Sequence, residues 1–213
     1  MTKEYTWKHP FILHSLFSEF SRDQLHAIID LADKYKGNFR IVATGIQIYD
    51  ITKEDKAAIL EQLPEGVQQV KHAAVNSVTA CRGTDGCSHA FMQTIPVAKY
   101  IDEHHFGEDM PNKLRIGISG CPRCCAEPMI KDIGLYGLLD GYVLVAGGKS
   151  GNRPKGGEVL AKKLTPEEAQ DKIEFLLQWY KDNAMPKEKF DHMLARLGNP
   201  FENAEVAPQV DAE

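Results

Sequence analysis

The chain of 213 residues lacks several features that would place it in a special class. It has no apolar run of the roughly 20 residues that a membrane-spanning helix needs, so no membrane partner is expected. It has no internal repeat and no low-complexity block. Its first residues, M-T-K-E-Y-T-W, do not include the apolar core of a signal peptide, which favours a cytoplasmic protein. With 25 Lys and Arg against 30 Asp and Glu, the chain is too acidic for a general nucleic-acid partner.

Cysteine is scarce, with five residues in the whole chain. An odd count in a chain of this length is not typical of the small secreted domains that depend on disulfides. Four of the five form two pairs, Cys81 with Cys87 in C-R-G-T-D-G-C and Cys121 with Cys125 in G-C-P-R-C-C-A-E-P. Thiolates in two pairs, on loops far apart in sequence, are what a cubane iron–sulfur cluster needs from a fold. We therefore predict a metalloprotein.

Two other uses of the cysteines compete with a cluster. Structural zinc would use the tight spacing Cys121-x-x-Cys124, although Cys81 and Cys87 are farther apart than the usual half of a zinc knuckle. A redox dithiol would use Cys121-Pro-Arg-Cys124 alone. It would need a thioredoxin-like βαβ context, which the glycine-rich surroundings do not indicate.

The segment from about Val75 to Pro154 resembles a known family. Besides C-x5-C and G-C-P-x-x-C, it contains D-I-G-L-Y-G from Asp132 and G-G-x-x-G-x-x-P from Gly147. This combination is similar to the siroheme and iron–sulfur domain of sulfite and nitrite reductases. In size, the chain resembles the small single-repeat, assimilatory-type members.

The resemblance implies two cofactors, siroheme and a 4Fe-4S cluster. The cluster ligands would be Cys81, Cys87, Cys121 and Cys125, and Cys125 would also bridge to the siroheme iron. Cys124 is then left over, with the ordinary role of a small, buried, apolar residue. Glycines beside the cysteines would let main-chain N–H groups reach the cluster sulfur atoms; they are Gly83, Gly86, Gly117 and Gly120.

Basic residues concentrate in the same part of the chain. Between positions 113 and 155 there are seven Lys and Arg against three Asp and Glu, a local charge of +4 within a chain of −5. The resemblance implies a carboxylate-rich siroheme and an anionic substrate, both of which need cationic donors. The ordinary alternative is a solvated basic face. The candidates for binding the anion and supplying protons are Arg40, Arg123, Lys131 and Lys149. The candidates for binding siroheme are Arg82, Arg115, Arg153 and Lys155.

Three features depart from the family pattern. Larger reductases carry Arg-x-Thr-x-Arg-Gln on a strand, and here Arg40 matches the first arginine whereas Thr44 stands in place of the second. Arg123 replaces the usual asparagine after Cys-Pro. The family's larger members also carry two copies of this unit, so a single copy implies either an open heme or a homodimer that completes the site.

The predicted fold class is α+β, with four consecutive parts. A ferredoxin-like unit (8–69) packs on the siroheme and 4Fe-4S domain (70–160), followed by C-terminal helices (161–198) and a loose tail (199–213). Sequence patterns predict helices that begin at Ser21, Thr52 and Thr165, and further helices over 88–106 and from Pro186 to Gly198. Strands or a hairpin are predicted at 39–51, 75–80, 114–118 and 142–146. His89, and the helix end Asp102 to His105, are expected to be exposed.

The predicted reaction is the reduction of sulfite to sulfide by six electrons and six protons. A small electron-donor protein, such as a ferredoxin or a cytochrome, would be the partner. Nitrite reduction to ammonia at the same centre is the first alternative. A heme-free 4Fe-4S electron-transfer protein and a zinc-stapled interaction module are the others.

Overall fold

The computed structural model describes residues 9–202, which form two α/β units. The first unit contains, in chain order, β1 (Phe11–Ser15), α1 (Arg22–Lys34), β2 (Asn38–Val42), β3 (Gly45–Tyr49), α2 (Lys53–Glu61) and β4 (Val67–Gln68). Its antiparallel sheet has the order β2-β3-β1-β4. This βαββαβ arrangement is ferredoxin-like, as predicted.

Local capping explains where the helices of this unit begin. The Ser21 hydroxyl accepts the Gln24 N–H, and the Gln24 side chain accepts the Ser21 N–H in return. Thr52 and Asp55 make the same reciprocal pair at the start of α2. Each pair satisfies donors that the first turn of a helix leaves free, so the sequence alone locates these starts.

The second unit carries the cysteines. It contains β5 (Thr79–Ala80), α3 (Ile95–His105), β6 (Ile116–Ser119), β7 (Ile133–Leu138), β8 (Gly141–Ala146), β9 (Glu158–Leu164), α4 (Pro166–Asn183) and α5 (Phe190–Leu197). The sheet order is β5-β6-β7-β8-β9, with β5, β6 and β7 parallel and the remaining neighbours antiparallel. Strand β6 is buried along its whole length, and the main apolar core joins this sheet to the three helices.

A buried carboxylate joins the two units. Asp102 on α3 is 1% exposed and accepts the Phe17 N–H of the first unit at 2.7 Å. It also accepts the Ser77 hydroxyl and the Val78 N–H, each at 2.8 Å. The expectation that Asp102 lies at an exposed helix end is therefore wrong, because this side chain satisfies three donors where the units meet. His104 is exposed as predicted, whereas the half-buried His105 contacts Glu108 and Glu174.

Several predicted boundaries shift in the structure. Residues 88–94 are not helical, and Pro96 occupies the first turn of α3 instead of kinking a longer helix. Helix α5 begins at Phe190, later than the predicted start at Pro186. Strands β7 and β9 were not predicted, and the proposed domain limit at residue 160 falls inside β9. Residue 8 and most of the predicted tail, 203–213, lie outside the described residues.

Candidate active site

The two cysteine loops begin at the same edge of the second sheet. Cys81 directly follows β5, and Cys121 follows Gly120 at the end of β6. Because β5 and β6 are parallel, their carboxyl ends lie side by side, and α3 makes the crossover between them. The carboxyl edge of parallel strands is the usual position of a binding site in such sheets. The segment between the two cysteine pairs is thus the crossover of one βαβ unit, which contains α3.

All four predicted ligands line one cavity at this edge. The cavity has a volume of about 460 Å³. Its lining comprises Ala80, Cys81, Arg82, Gly86, Cys87, His89, Ala90, Ser119, Cys121, Arg123 and Cys125. Cys124 is absent from this lining. The structure therefore gathers the four predicted ligands from two loops and leaves out the predicted spare cysteine.

The cavity wall already supplies a hydrogen bond to a ligand sulfur. The Gly120 N–H donates to Cys81 Sγ over 3.2 Å, the kind of contact that the sequence predicts for the glycines. Main-chain bonds fix the loop behind it, since the Cys87 N–H donates to the Gly83 carbonyl at 3.0 Å. The Thr94 hydroxyl, at the start of α3, donates to the Cys81 carbonyl. The first loop is thus tied to both β6 and α3.

The second loop turns sharply at Cys124. This residue has φ of +53°, in the left-handed region, and Glu127 has φ of +57°. Two main-chain bonds close the turns, Cys124 N–H to the Cys121 carbonyl and Glu127 N–H to the Cys124 carbonyl. Burial raises the pKa of the Cys124 thiol, and the charges of Cys121 and Cys125 raise it further. Cys124 thus lies in the turn between the two proposed ligands of this loop and does not line the cavity.

Glycines on the sheet let the loops lie directly on its two faces. A Cβ atom on Gly117 would come within 2.7 Å of the Ala126 carbonyl oxygen, and one on Gly134 within 2.3 Å of the Pro128 carbonyl oxygen. A Cβ on Gly137 would stand 2.5 Å from the Gly120 carbonyl oxygen. The D-I-G-L-Y-G motif is therefore a strand whose glycines make room for the cysteine loops.

The donor set fits a cluster better than a single ion. All five cysteines are free thiols. Within residues 9–202, no three His, Cys, Asp or Glu side chains converge closely enough to hold one metal ion. Four thiols spread around a cavity match the ligand set of a four-iron cluster. Cys125 is the most exposed of the four residues.

Two of the predicted basic residues share the cavity with the cysteines. Arg82 and Arg123 are exposed and line it from the first and the second loop. Lys131 lies nearby on the face of β6, where its side chain packs over Gly117 and its ammonium pairs with Glu127 at 3.2 Å. Arg82 and Arg123 are therefore the two predicted cations that line the cysteine cavity, whereas Lys131 does not line it.

The other predicted cations lie elsewhere. Arg115 precedes β6 and pairs with Asp132 at 3.2 Å, and Lys149 follows β8 and pairs with Asp191 at 2.9 Å. The four residues of β6 put roughly 13 Å between that end of the strand and the cysteine end. Further predicted cations are Lys155, which pairs with Glu158, the exposed Arg153, and Arg40, which donates to Gln47 in the first unit.

A second cavity of about 260 Å³ lies at that opposite end of the sheet. Arg115 and Lys149 line it together with Lys113 and Lys189, which were not among the predicted site residues. Burial lowers the pKa of Lys113, and the charge of Arg115 lowers it further. The basic run in the sequence is therefore divided between two sites, because β6 and the loops around it carry successive residues to opposite edges.

No helix within residues 9–202 is both long and apolar enough to cross a membrane.

Comparisons with known proteins agree with this site. The family described as "Nitrite and sulphite reductase 4Fe-4S domain" matches residues 71–203. The chain is 32% identical to the assimilatory-type sulfite reductase of Nitratidesulfovibrio vulgaris over 178 residues, 83% of this chain and 82% of that protein. It is 30% identical over 178 residues to the NAD(P)H nitrite reductase of Bacillus subtilis, which covers 82% of this chain but 22% of that protein.

A solved structure has the same fold. The crystal structure of dissimilatory sulfite reductase I superposes with a TM-score of 0.71 at 14% identity, covering 91% of this chain and 67% of the other. The predicted fold class is thereby confirmed. The family match confirms the predicted cofactors, a 4Fe-4S cluster and siroheme, and an oxidoreductase activity. The chain belongs to the nitrite and sulphite reductase 4Fe-4S family.

Proposed function

We propose that this protein reduces sulfite to sulfide at a siroheme that Cys125 links to a 4Fe-4S cluster. The observation that carries the proposal is the single cavity lined by Cys81, Cys87, Cys121 and Cys125. These four residues are the proposed cluster ligands. When bound, the cluster would pass on electrons that an external donor supplies, and the siroheme would provide the iron at which the anion reacts.

Arg82 and Arg123 are the proposed anion-binding residues. Both guanidinium groups are exposed at the cavity, and each can offer several N–H donors to an oxyanion or to a siroheme carboxylate. A cation held close to a bound anion would stabilise its negative charge. Lys131 is the proposed proton donor, and its ammonium pairs with Glu127 in the second loop.

Sulfite is preferred to nitrite as the proposed substrate. The chain spans 82% of the assimilatory-type sulfite reductase, whereas it spans 22% of the nitrite reductase of Bacillus subtilis. Steady-state assays with a reduced viologen as electron donor should therefore give a higher kcat/KM for sulfite, with sulfide as the product. A higher kcat/KM for nitrite, with ammonia as the product, would select the alternative substrate.

The neighbouring cysteines Cys124 and Cys125 provide a matched test of the site. We expect Cys125→Ser to lose iron and the siroheme absorption in the red, because it removes a proposed shared ligand. Cys124→Ser should retain both, since Cys124 does not line the cavity. Equal loss from the two variants, or colourless wild-type protein with bound zinc, would contradict the proposal. A brown wild-type protein without the red absorption would indicate a heme-free electron-transfer protein.

Arg123→Ala tests the role of the cation that replaces the usual asparagine. It should raise the KM for sulfite at least about tenfold, because one cation near the anion is lost while the cluster ligands remain. Arg153→Ala is the control, since Arg153 is exposed and does not line the cysteine cavity. An unchanged KM in Arg123→Ala would remove this residue from the anion site.

A homodimer is the proposed assembly, with a small redox protein as electron donor. Arg115 and Lys149 lie at the opposite end of β6 from the cysteines of their own chain, so they would serve the anion only from a second copy. Mixing inactive Cys125→Ser with weakly active Lys149→Ala protein should then restore activity in the mixed dimer. A monomer in sedimentation experiments with full activity would contradict this assembly.

A further inference from the structure

Ser119, which was not among the predicted site residues, lines the cysteine cavity from the end of β6. It is buried, with 1% of its surface exposed. Its hydroxyl oxygen accepts the Ala126 N–H at 3.0 Å. That N–H belongs to the peptide group that directly follows Cys125 in the chain. The strand is therefore bonded to the second cysteine loop at the residue next to the proposed shared ligand.

One hydrogen bond restrains the backbone on each side of Cys125. The peptide group before it is held by the Glu127 N–H, which donates to the Cys124 carbonyl at 2.8 Å. The peptide group after it is held by Ser119. Each of these planar groups contains the Cα of Cys125, so fixing the groups also fixes that atom. The first bond stays within the loop, whereas the Ser119 bond ties Cys125 to the sheet.

The same face of β6 also receives the Ala126 carbonyl. Gly117 and Ser119 are two residues apart on the strand, so they face the same side. A Cβ at Gly117 would stand 2.7 Å from the Ala126 carbonyl oxygen, and Ala126 is only 2% exposed. Cys125 beside it is exposed. The loop is thus anchored in the core one residue away from a cysteine that remains accessible.

We propose that Ser119 is a positioning residue that holds Cys125 where its sulfur links the 4Fe-4S cluster to the siroheme iron. This inference rests on the proposed function. A ligand shared by two cofactors must satisfy two sets of bond lengths at once, so it tolerates less displacement than a ligand of one. Removing a group that orients a metal ligand typically lowers metal affinity or activity by about 10–100-fold.

Ser119→Ala removes the hydroxyl, and Ser77→Ala is the matched control. Ser77 is also buried, at 2% exposed, and donates to Asp102 at 2.8 Å, but it does not line the cysteine cavity. In the holoenzyme, Ser119→Ala should release iron to a ferrous chelator about tenfold faster than wild type. Its siroheme absorption in the red should also shift, because the Cys125 sulfur loses its fixed position. Ser77→Ala should match wild type in both measurements.

The cofactor-free proteins separate this role from stability. Both variants should unfold at a lower urea concentration than wild type, because each loses a buried hydrogen bond. In wild type, the bonded Ala126 N–H should exchange slowly with D2O. Equal iron release and absorption in Ser119→Ala and Ser77→Ala, or fast exchange at Ala126 in wild type, would overturn the inference. Wild-type protein without iron, or without the red absorption, would instead refute the proposed function.

Discussion

Replacing Gly134 by alanine tests how the second cysteine loop is held in place. Gly134 is the second residue of β7, and its φ is not in the left-handed region, so the backbone itself accepts alanine. The added Cβ, however, would stand 2.3 Å from the Pro128 carbonyl oxygen and 2.7 Å from the Pro128 carbonyl carbon. Real Cβ atoms essentially never approach another atom within 3.0 Å, so the main chain at Pro128 must retreat by about 0.7 Å, the difference between 3.0 and 2.3 Å.

The expected loss of stability follows from two opposing contributions. Overpacking a well-packed interior costs about 1–3 kcal/mol, and the upper part of this range applies because the obstacle is main chain that cannot change rotamer. Replacing glycine by alanine in a strand offsets roughly 0.5–1 kcal/mol through the entropy of the unfolded chain. We therefore expect Gly134→Ala to lower the free energy of unfolding by about 2 kcal/mol.

The assays are urea denaturation of the cofactor-free protein and iron content of the purified holoenzyme. Pro128 follows Cys125 by three residues, so a displaced loop should also lower the iron per chain. Gly156→Ala is the control, since its Cβ would meet only Met129 Cε, at 3.9 Å. A Gly134→Ala protein within about 0.5 kcal/mol of wild type, with full iron content, would refute the reasoning that glycine seats the loop.

Two further predictions concern the framework around the site. Asp102→Asn should cost roughly 1–3 kcal/mol at pH 7, because an amide cannot accept from all three buried donors. Burial raises the pKa of Asp102 above its ordinary 3.8, so wild type gains stability as pH falls through the raised pKa. Urea denaturation at pH 7 and near pH 4 should therefore show a wider gap between Asp102→Asn and wild type in acid, and a narrower gap would contradict this sign. Thr165→Ala should cost about 1 kcal/mol through the lost N-cap of α4 and leave iron content unchanged, and a lower iron content would show that α4 supports the cluster directly.

Local chemistry made part of the fold predictable. Three helices begin where a hydroxyl and a residue three positions later form a capping box, at Ser21, Thr52 and Thr165. This signal lies within four residues, so distant contacts do not alter it. The turn at Ala43-Thr44, which divides the predicted 39–51 segment into the hairpin of β2 and β3, is equally local.

Other elements depend on contacts that the sequence does not display. Strand β7 reads I-G-L-Y-G-L, and glycine disfavours strands, yet its glycines are needed where the cysteine loops cross the sheet. Residues 88–94 carry a helical pattern but remain irregular, since the N–H groups of Phe91 and Met92 both donate to the Gly120 carbonyl. In both places a tertiary contact with the second cysteine loop overrides the local preference.

The common position of the four proposed ligands was predictable for a reason that does not extend to the cations. Each cysteine pair directly follows one of two parallel strands, so sequence position fixes the edge of the sheet at which its sulfur atoms lie. The basic run extends from the start of β6 to the loop after β8. Because β6 has only four residues, basic residues just before it and just after it in the sequence lie at opposite edges of the sheet. Arg123 lies with the cysteines because it is between two of them, whereas Arg115 lies at the opposite edge. For the cations, the position relative to a strand end, and not the density of charge along the chain, determines which site they can serve.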